Sequence, residues 1–516
     1  MKEKFYNLFE FLKKISYIIQ FIITLIFGRF LYKLILQKNT IGMYGRFSLI
    51  IAIIFGALTI AIMCYHIKKD RKKIEKMFLN FSIFLGIMYM FIIIPGQVPD
   101  EQVHMMKAYE VSKGIFITKI QEDGSSHTTI PREMLEYNHN ILDKYSKLND
   151  MQLLKTNYED EAQEVSSAQG YSSVLYLIPA LGLFIGRNIG VNLITSIYLG
   201  KTLNLILFIV MGYYSIKKIP FGKIAMAIYL LMPMMLHQAG SFSSDVFINS
   251  ITLYFTAYLL NLLCKKEKIT NKELIIYCVL SVLVALAKIV YVPLVGIGLL
   301  LILKKNTSRK KVIVFITASI ILAVVFALGE YIHATHYTSL PLAMAEYNEK
   351  MNVNSSLQIE HILDNPIFTI KTFAKDLIVN GEMYIKAAVG QDLGWLNIKI
   401  PPICILAYII LLLYSIIIEN NQTEIKTLDK IWIEMICLGI VVLVQMAMYT
   451  SFTPIGANFI GGVQGRYFIP ILLLQILCFA KKNNYIKTKN PEIIVTTISG
   501  VLNIFVLSNI YMFFIN

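Results

Sequence analysis

Residues 77–104 read MFLNFSIFLGIMYMFIIIPGQVPDEQVH. The first nineteen are an almost unbroken apolar run that Pro95 ends, and within ten residues of it come Asp100, Glu101 and His104. About 20 apolar residues carry a helix across about 30 Å of hydrocarbon. The stretch therefore predicts a membrane span whose exit delivers two acids and a histidine to the interface. The whole chain follows suit, with 56% hydrophobic and 16% charged residues and a mean hydropathy of +0.61. Soluble domains carry about 45–50% apolar and about 25% charged residues. A soluble enzyme, a disordered chain and a disulfide framework are excluded together. The six cysteines lie in or beside apolar runs without metal-ligand or redox spacing and read as packing residues.

Scanning outward gives about thirteen spans, near 15–36, 47–65, 77–95, 192–214, 222–239, 246–264, 274–287, 289–303, 312–330, 402–418, 431–450, 467–480 and 493–514. The net charge of +15 sits in short loops rather than along one face, so it reads as membrane topology and not as nucleic-acid binding. Six basic residues fall in 66–76 and five in 304–311. Those loops, and the N-terminus, are expected in the cytoplasm. Two long segments on the other side are acidic on balance: 96–170 holds 7 basic and 13 acidic residues, and 331–401 holds 5 and 7. Residues 171–186 are apolar but too short to span, and read as an interfacial or re-entrant helix on the outer side.

Asp100 and His104, four apart, and Glu101 and His104, three apart, are expected to share one face of a helix that starts at Pro99 and stops at Lys113-Gly114. Such a face can do acid-base work, or hold a metal through Asp100 and Glu101. It is equally what a helix dipole favours in a first turn. Further polar sets fall at other external ends: SFSSD (241–245, with Asp245), QDLGW (391–395, with Gln391 and Trp395) and QGRY (464–467, with Gln464, Arg466 and Tyr467). Singly, Trp395 and Tyr467 read as interfacial anchors and Arg466 as a snorkelling cation. Of the other basic residues inside apolar runs, Arg29 and Lys33 are read as snorkelling, while Lys201 and Lys288 fall near external ends, where an anion would suit them. The spans 274–287 and 289–303 hinge at Lys288 and look too short to face lipid. His333 and His336 lack a third ligand for zinc. The convergence of distant groups on one side predicts an outward polar cavity.

PDEQVHMMKAYEVSKG, SFSSD, LAKIVYVP, GQDLGWLNIKIP and GGVQGRYFIP occur in that order. As a set they resemble a bacterial multi-pass membrane family of unknown function that is similar to the GT-C glycosyltransferases. The resemblance runs from about 77 to 480, leaving 1–76 as an N-terminal hairpin of two spans and 481–516 as a basic loop and last span. It implies an all-α, GT-C-like integral membrane fold with two long external loops containing juxtamembrane helices. It further implies an acid at the start of the first loop as the catalytic group, here Asp100 with Glu101 beside it; His104 matches the motif without an implied role, and chemically Glu101 and His104 would support Asp100. The implied activity is sugar transfer from a polyprenyl-phosphate donor to a cell-surface glycan or glycopolymer on the outer face of the cytoplasmic membrane. The partners are then the lipid-linked donor, that acceptor and membrane lipids. Lys201, Asp245, Lys288, Gln391, Trp395, Gln464, Arg466 and Tyr467 are the expected substrate contacts, and a divalent cation, Mg or Mn, is the only expected cofactor. The alternatives are a lipid-linked glycan flippase and a polysaccharide polymerase.

Overall fold

The computed structural model describes residues 15–36, 43–118, 127–139, 144, 145, 148, 156–304, 308–337, 342–482 and 488–515. Among them, eight helices are long and apolar enough to cross a membrane: Ser16–Leu36, Arg46–Asp70, Ile74–Ile92, Leu193–Lys218, Asp245–Cys264, Arg309–Thr335, Thr427–Ser451 and Pro491–Ile515. Each coincides with an expected span. Local chemistry sets several ends. The Asn192 side chain accepts the Thr195 amide at 3.0 Å to start one helix, and Lys217 and Lys218 complement the dipole at its end. Strand pairing among the described residues is limited to Thr128–Pro131 with Glu161–Glu164, antiparallel, to Asp392–Leu393 with Ile398–Lys399, and to an isolated bridge between Asn421 and Lys482.

The other five expected spans are shorter or broken, so thirteen full-length spans exceeds what these helices support. The 222–239 segment is two helices, Lys223–Leu230 and Pro233–Ala239, almost wholly buried. Pro233 cannot donate a backbone hydrogen bond, and the helix ends ahead of it. Freed carbonyls inside a membrane protein need internal partners. Asn503 Nδ2 donates to Leu231 O at 2.9 Å, and Tyr408 Oη donates to Ile228 O at 3.1 Å. Asn271–Ala287 and Ile289–Leu303 meet at Lys288, whose backbone is extended, as the hinge reading expects. The second is a 3-10 helix of 15 residues. At about 2.0 Å per residue it is longer than an α-helix of the same residue count, yet it stays among the shorter apolar helices, outside the eight long enough to span.

Residues 171–186 become a 3-10 turn, Ser173–Tyr176, and a helix, Leu177–Asn188. Leu177, Leu181, Phe184 and Ile185 are exposed on one side. Gly182 and Gly186 on the other press against Leu193–Lys218. A Cβ on Gly182 would lie 2.4 Å from Gly200 N, and one on Gly186 would lie 2.2 Å from Ser196 Oγ. The centre of the molecule is Ile74–Ile92, buried along nearly its whole length, with the Pro95–Asp100 turn held directly above it.

Gly182→Val should therefore lower thermal stability in detergent by about 1–3 kcal/mol through overpacking against backbone. Gly329→Ala, in a helix where an added Cβ meets nothing within 4 Å, should leave stability unchanged or raise it by up to about 1 kcal/mol. Equal melting points for both variants would contradict the packing argument.

Candidate functional site

The Pro95–Asp100 turn is pinned from three sides. Tyr137 Oη donates to Pro95 O at 2.6 Å, and Trp395 Nε1 donates to Gly96 O at 2.8 Å. Glu101 Oε2 accepts the amides of Gly96 at 2.7 Å and Val98 at 3.3 Å, while its Oε1 accepts the amide of Phe242 at 3.2 Å. Glu101 is 1% exposed, and Lys201 Nζ lies 4.0 Å from its carboxylate and 3.4 Å from Ile93 O. Glu101 and Lys201 thus form a buried clamp that ties the turn to the SFSSD loop.

The shared helical face expected for Asp100, Glu101 and His104 is not what forms. The helix is Glu101–Ser112, and Asp100 stands outside it with φ 63°, a left-handed conformation uncommon in a residue with a side chain. Strain of this kind costs on the order of 1–3 kcal/mol and clusters at functional sites. Here it turns the Asp100 carboxylate away from the helix toward Arg466.

Arg466 organises the rest of the cluster. Its NH2 group donates to Asp100 Oδ2 at 2.8 Å, its NH1 group donates to Asp245 Oδ2 at 3.2 Å, and its Nε donates to Gln464 Oε1 at 2.8 Å. Gln238 Nε2 also donates to Asp245 Oδ2, at 2.8 Å, and Asn249 Nδ2 holds Gln238 Oε1 at 3.1 Å. The Tyr467 ring takes Lys288 Nζ at 4.6 Å and the Arg466 guanidinium at 5.3 Å from its centroid. Arg466 belongs to the 3-10 turn Gly465–Phe468. That turn comes close because Gly465 has no side chain, since a Cβ there would lie 2.2 Å from Tyr384 O.

Asp100 differs from its neighbours in access. Its side chain is 49% exposed against 5% for Arg466 and 11% for Asp245, and among the described residues its Oδ1 takes no hydrogen bond. Burial works to raise its pKa, but the charges of Arg466 and, more weakly, of His104 and Lys288 prevail and hold the carboxyl below its usual range. His104 is 4% exposed. Its Nδ1 meets Tyr176 Oη at 2.7 Å, and its Nε2 meets Ser244 Oγ at 3.4 Å. Burial pushes the imidazole down to about 4 despite the nearby carboxylates, so it is neutral at pH 7.

Two cavities flank the cluster. One of about 210 Å³ is lined by Tyr171, Ser172, Lys288, Ile289 and Glu330. The other, about 150 Å³, is lined by Pro99, His237, Tyr384, Asp392, Gln464 and Arg466. Asp100, Asp245, Lys288, Gln464, Arg466 and Tyr467 thus come together, with His104 behind them. Trp395 anchors the turn. Gln391 acts through its backbone, its carbonyl accepting the Ile400 amide at 2.9 Å. Lys201 belongs to the Glu101 clamp instead. Among the described residues no group of three or more His, Cys, Asp or Glu could hold a metal, and the place between Asp100 and Asp245 is taken by a guanidinium. Sequence reasoning misses Gln238 and Tyr176, which sit in apolar stretches where only their polar heads mark them.

The fold and the buried ion cluster define an all-α membrane protein. The chain belongs to the family described as "Predicted membrane protein (DUF2142)", which matches residues 83–475. No curated protein and no solved structure matches it.

His104 should make stability pH-dependent. Below its ordinary value of 6.5 the unfolded chain takes up a proton that the folded chain refuses until about 4. Stability then falls as pH drops through that window, by about 3 kcal/mol at most. Melting curves between pH 7 and 4 should show a smaller acid-side loss for His104→Gln than for the unaltered protein. Parallel losses would contradict the assignment.

Proposed function

We propose that this protein is a GT-C-type glycosyltransferase of the cell envelope. It moves a sugar from a polyprenyl-phosphate donor to a hydroxyl of a cell-surface glycan or glycopolymer. The observation that carries this reading is the Arg466 guanidinium shared between Asp100 and Asp245, with Lys288 beside it and a cavity on each side. A phosphate leaving group needs cations more than it needs an acid, and a hydroxyl nucleophile needs a base. On this reading the N-terminus is cytoplasmic and the site lies on the outer face. The chain then divides into an anchor hairpin (1–76), the transferase body (77–480) and a closing span (481–516).

The acceptor hydroxyl oxygen attacks the anomeric carbon while the bond from that carbon to the phosphate oxygen breaks. The electron pair leaves with the phosphate, where Arg466 and Lys288 meet the developing charge. Asp100 takes the hydroxyl proton through its free oxygen. A single displacement of this kind inverts the anomeric centre. Asp245 and Gln464 orient the guanidinium, and Tyr467 steadies both cations. Glu101 with Lys201 and Trp395 hold the turn, His104 supports the cluster as a neutral group, and Gln391 shapes the loop that closes the second cavity.

The test is reconstitution in liposomes with a radiolabelled polyprenyl-phosphate sugar and a glycan acceptor. Transfer is expected, and Asp100→Asn should cut it by about 10²–10⁴-fold while keeping a cooperative melting transition, because Asp245 still pairs the guanidinium. Full transfer by Asp100→Asn would remove the base. Movement of intact donor across the bilayer without bond cleavage would replace the transferase with a flippase. Because Arg466 holds the Asp100 pKa low, the acid limb of kcat/KM should lie below the ordinary carboxylate range and move to higher pH in Arg466→Gln.

A further inference from the structure

Arg29 stands 13 residues into the Ser16–Leu36 helix, about 20 Å along it, inside a candidate span. That helix precedes the family match, which begins at residue 83. It docks on the body through Gly28, where a Cβ would lie 2.7 Å from Phe91 Cδ2. Beside this contact runs a groove of about 300 Å³. Its walls are Leu25, Ile26 and Phe30 from the added helix, with Phe91, Leu199 and Thr202 among those from the body. Arg29 lines the same groove. Its guanidinium lies 5.5 Å from the Tyr32 ring centroid, and among the described residues no carboxylate pairs with it. Lys33, one turn on, lies over Phe30.

Simple snorkelling accounts for a cation that reaches past the apolar surface to water. It does not account for a guanidinium on the wall of an apolar groove between helices. A charge in hydrocarbon needs a counter-charge, and an unexplained one marks a functional site by default. Mostly apolar walls, one cation with no carboxylate partner among the described residues, and Thr195 beside them describe the complement of an anionic amphiphile. We propose that this groove binds an anionic lipid, its phosphate on Arg29 and its chain along Leu25, Ile26 and Leu199. The groove lies at the end of Ile74–Ile92 that carries the Pro95–Asp100 turn, so the bound lipid stands in the same leaflet as the ion cluster. A soluble phosphate has no claim on a groove inside a span. The two sources are bulk anionic phospholipid and a polyprenyl phosphate. The assignment is independent of the transferase reading.

Native mass spectrometry of the purified full chain tests it, with phosphatidylglycerol, phosphatidylcholine and a polyprenyl phosphate each titrated in detergent. The unaltered protein should hold phosphatidylglycerol about tenfold more tightly than phosphatidylcholine, the scale of one charge-assisted contact. Arg29→Gln should abolish that preference and Arg29→Lys should keep part of it. Leu25→Trp, which fills the groove and leaves the charge, should lower binding of both lipids. A polyprenyl phosphate held tighter than phosphatidylglycerol names the isoprenoid as occupant, and equal binding names bulk lipid. An unchanged preference in Arg29→Gln, with matched melting curves, would overturn the proposal and leave Arg29 a snorkelling residue. Should Leu25→Trp fail to fold, the glutamine and lysine variants decide alone.

Discussion

The buried guanidinium of Arg466 is bound by carboxylates that lie 366 and 221 residues away in the chain. A buried charge stripped of its partner typically destabilises a protein by about 3–5 kcal/mol, so the fold around Arg466 is constrained to deliver its carboxylates. Asp245 arrives at the start of a long helix, where its backbone amide is held by Ser243 Oγ at 3.3 Å. Asp100 arrives only because its backbone accepts a left-handed conformation and the turn before it is pinned by Tyr137, Trp395 and Glu101. Gly465 lets the arginine's own turn press against Tyr384. Each of these features is local, and each acts by aiming a side chain at one cation.

Much of the scaffold was legible because hydrophobic length is a one-dimensional signal. All eight long helices were readable from apolar runs, and so was the hinge at Lys288. The broken 222–239 segment was not, because LLMPMM is as apolar as a continuous span. The partners that make the break tolerable, Asn503 and Tyr408, come from 180–272 residues away. The long 3-10 helix was hidden for a related reason: composition counts residues, while crossing distance depends on rise per residue.

Within the site, residue type pointed to the right neighbourhood and spacing to the wrong geometry. Asp100, Glu101 and His104 fit one helical face on paper. Their roles separate because the helix begins two residues later than the proline suggests. Glu101 then points back at three amides, His104 is enclosed by hydroxyls, and only Asp100 keeps an open oxygen. Lys201 was indistinguishable from Lys288 in sequence, since both are single cations near a span end. What distinguishes them is which carboxylate each meets, and that depends on helix packing. Gln238 carried no motif at all, although it supplies Asp245 with a second donor.

On the proposed transferase reading the lowered Asp100 pKa sits awkwardly with the role of a base, because a carboxylate held below its usual range by Arg466 is a poor proton acceptor. The conflict is resolved if the cation is shared in sequence. Arg466 spends three donor directions on Asp100, Asp245 and Gln464, and a phosphate placed beside Lys288 competes for the same guanidinium. As that phosphate gains charge during bond breaking, it draws Arg466 away from Asp100, whose pKa must then rise, since the charge holding it down is being neutralised. In the proposed reaction, proton acceptance and leaving-group departure would thereby be coupled through one side chain. On that reading Asp100 would stay ionised and unreactive while the donor is absent and become a competent base only as the phosphate takes over its partner. Asp245, the more buried of the two carboxylates, would keep the guanidinium in place throughout, which on that reading gives the arginine a use for both.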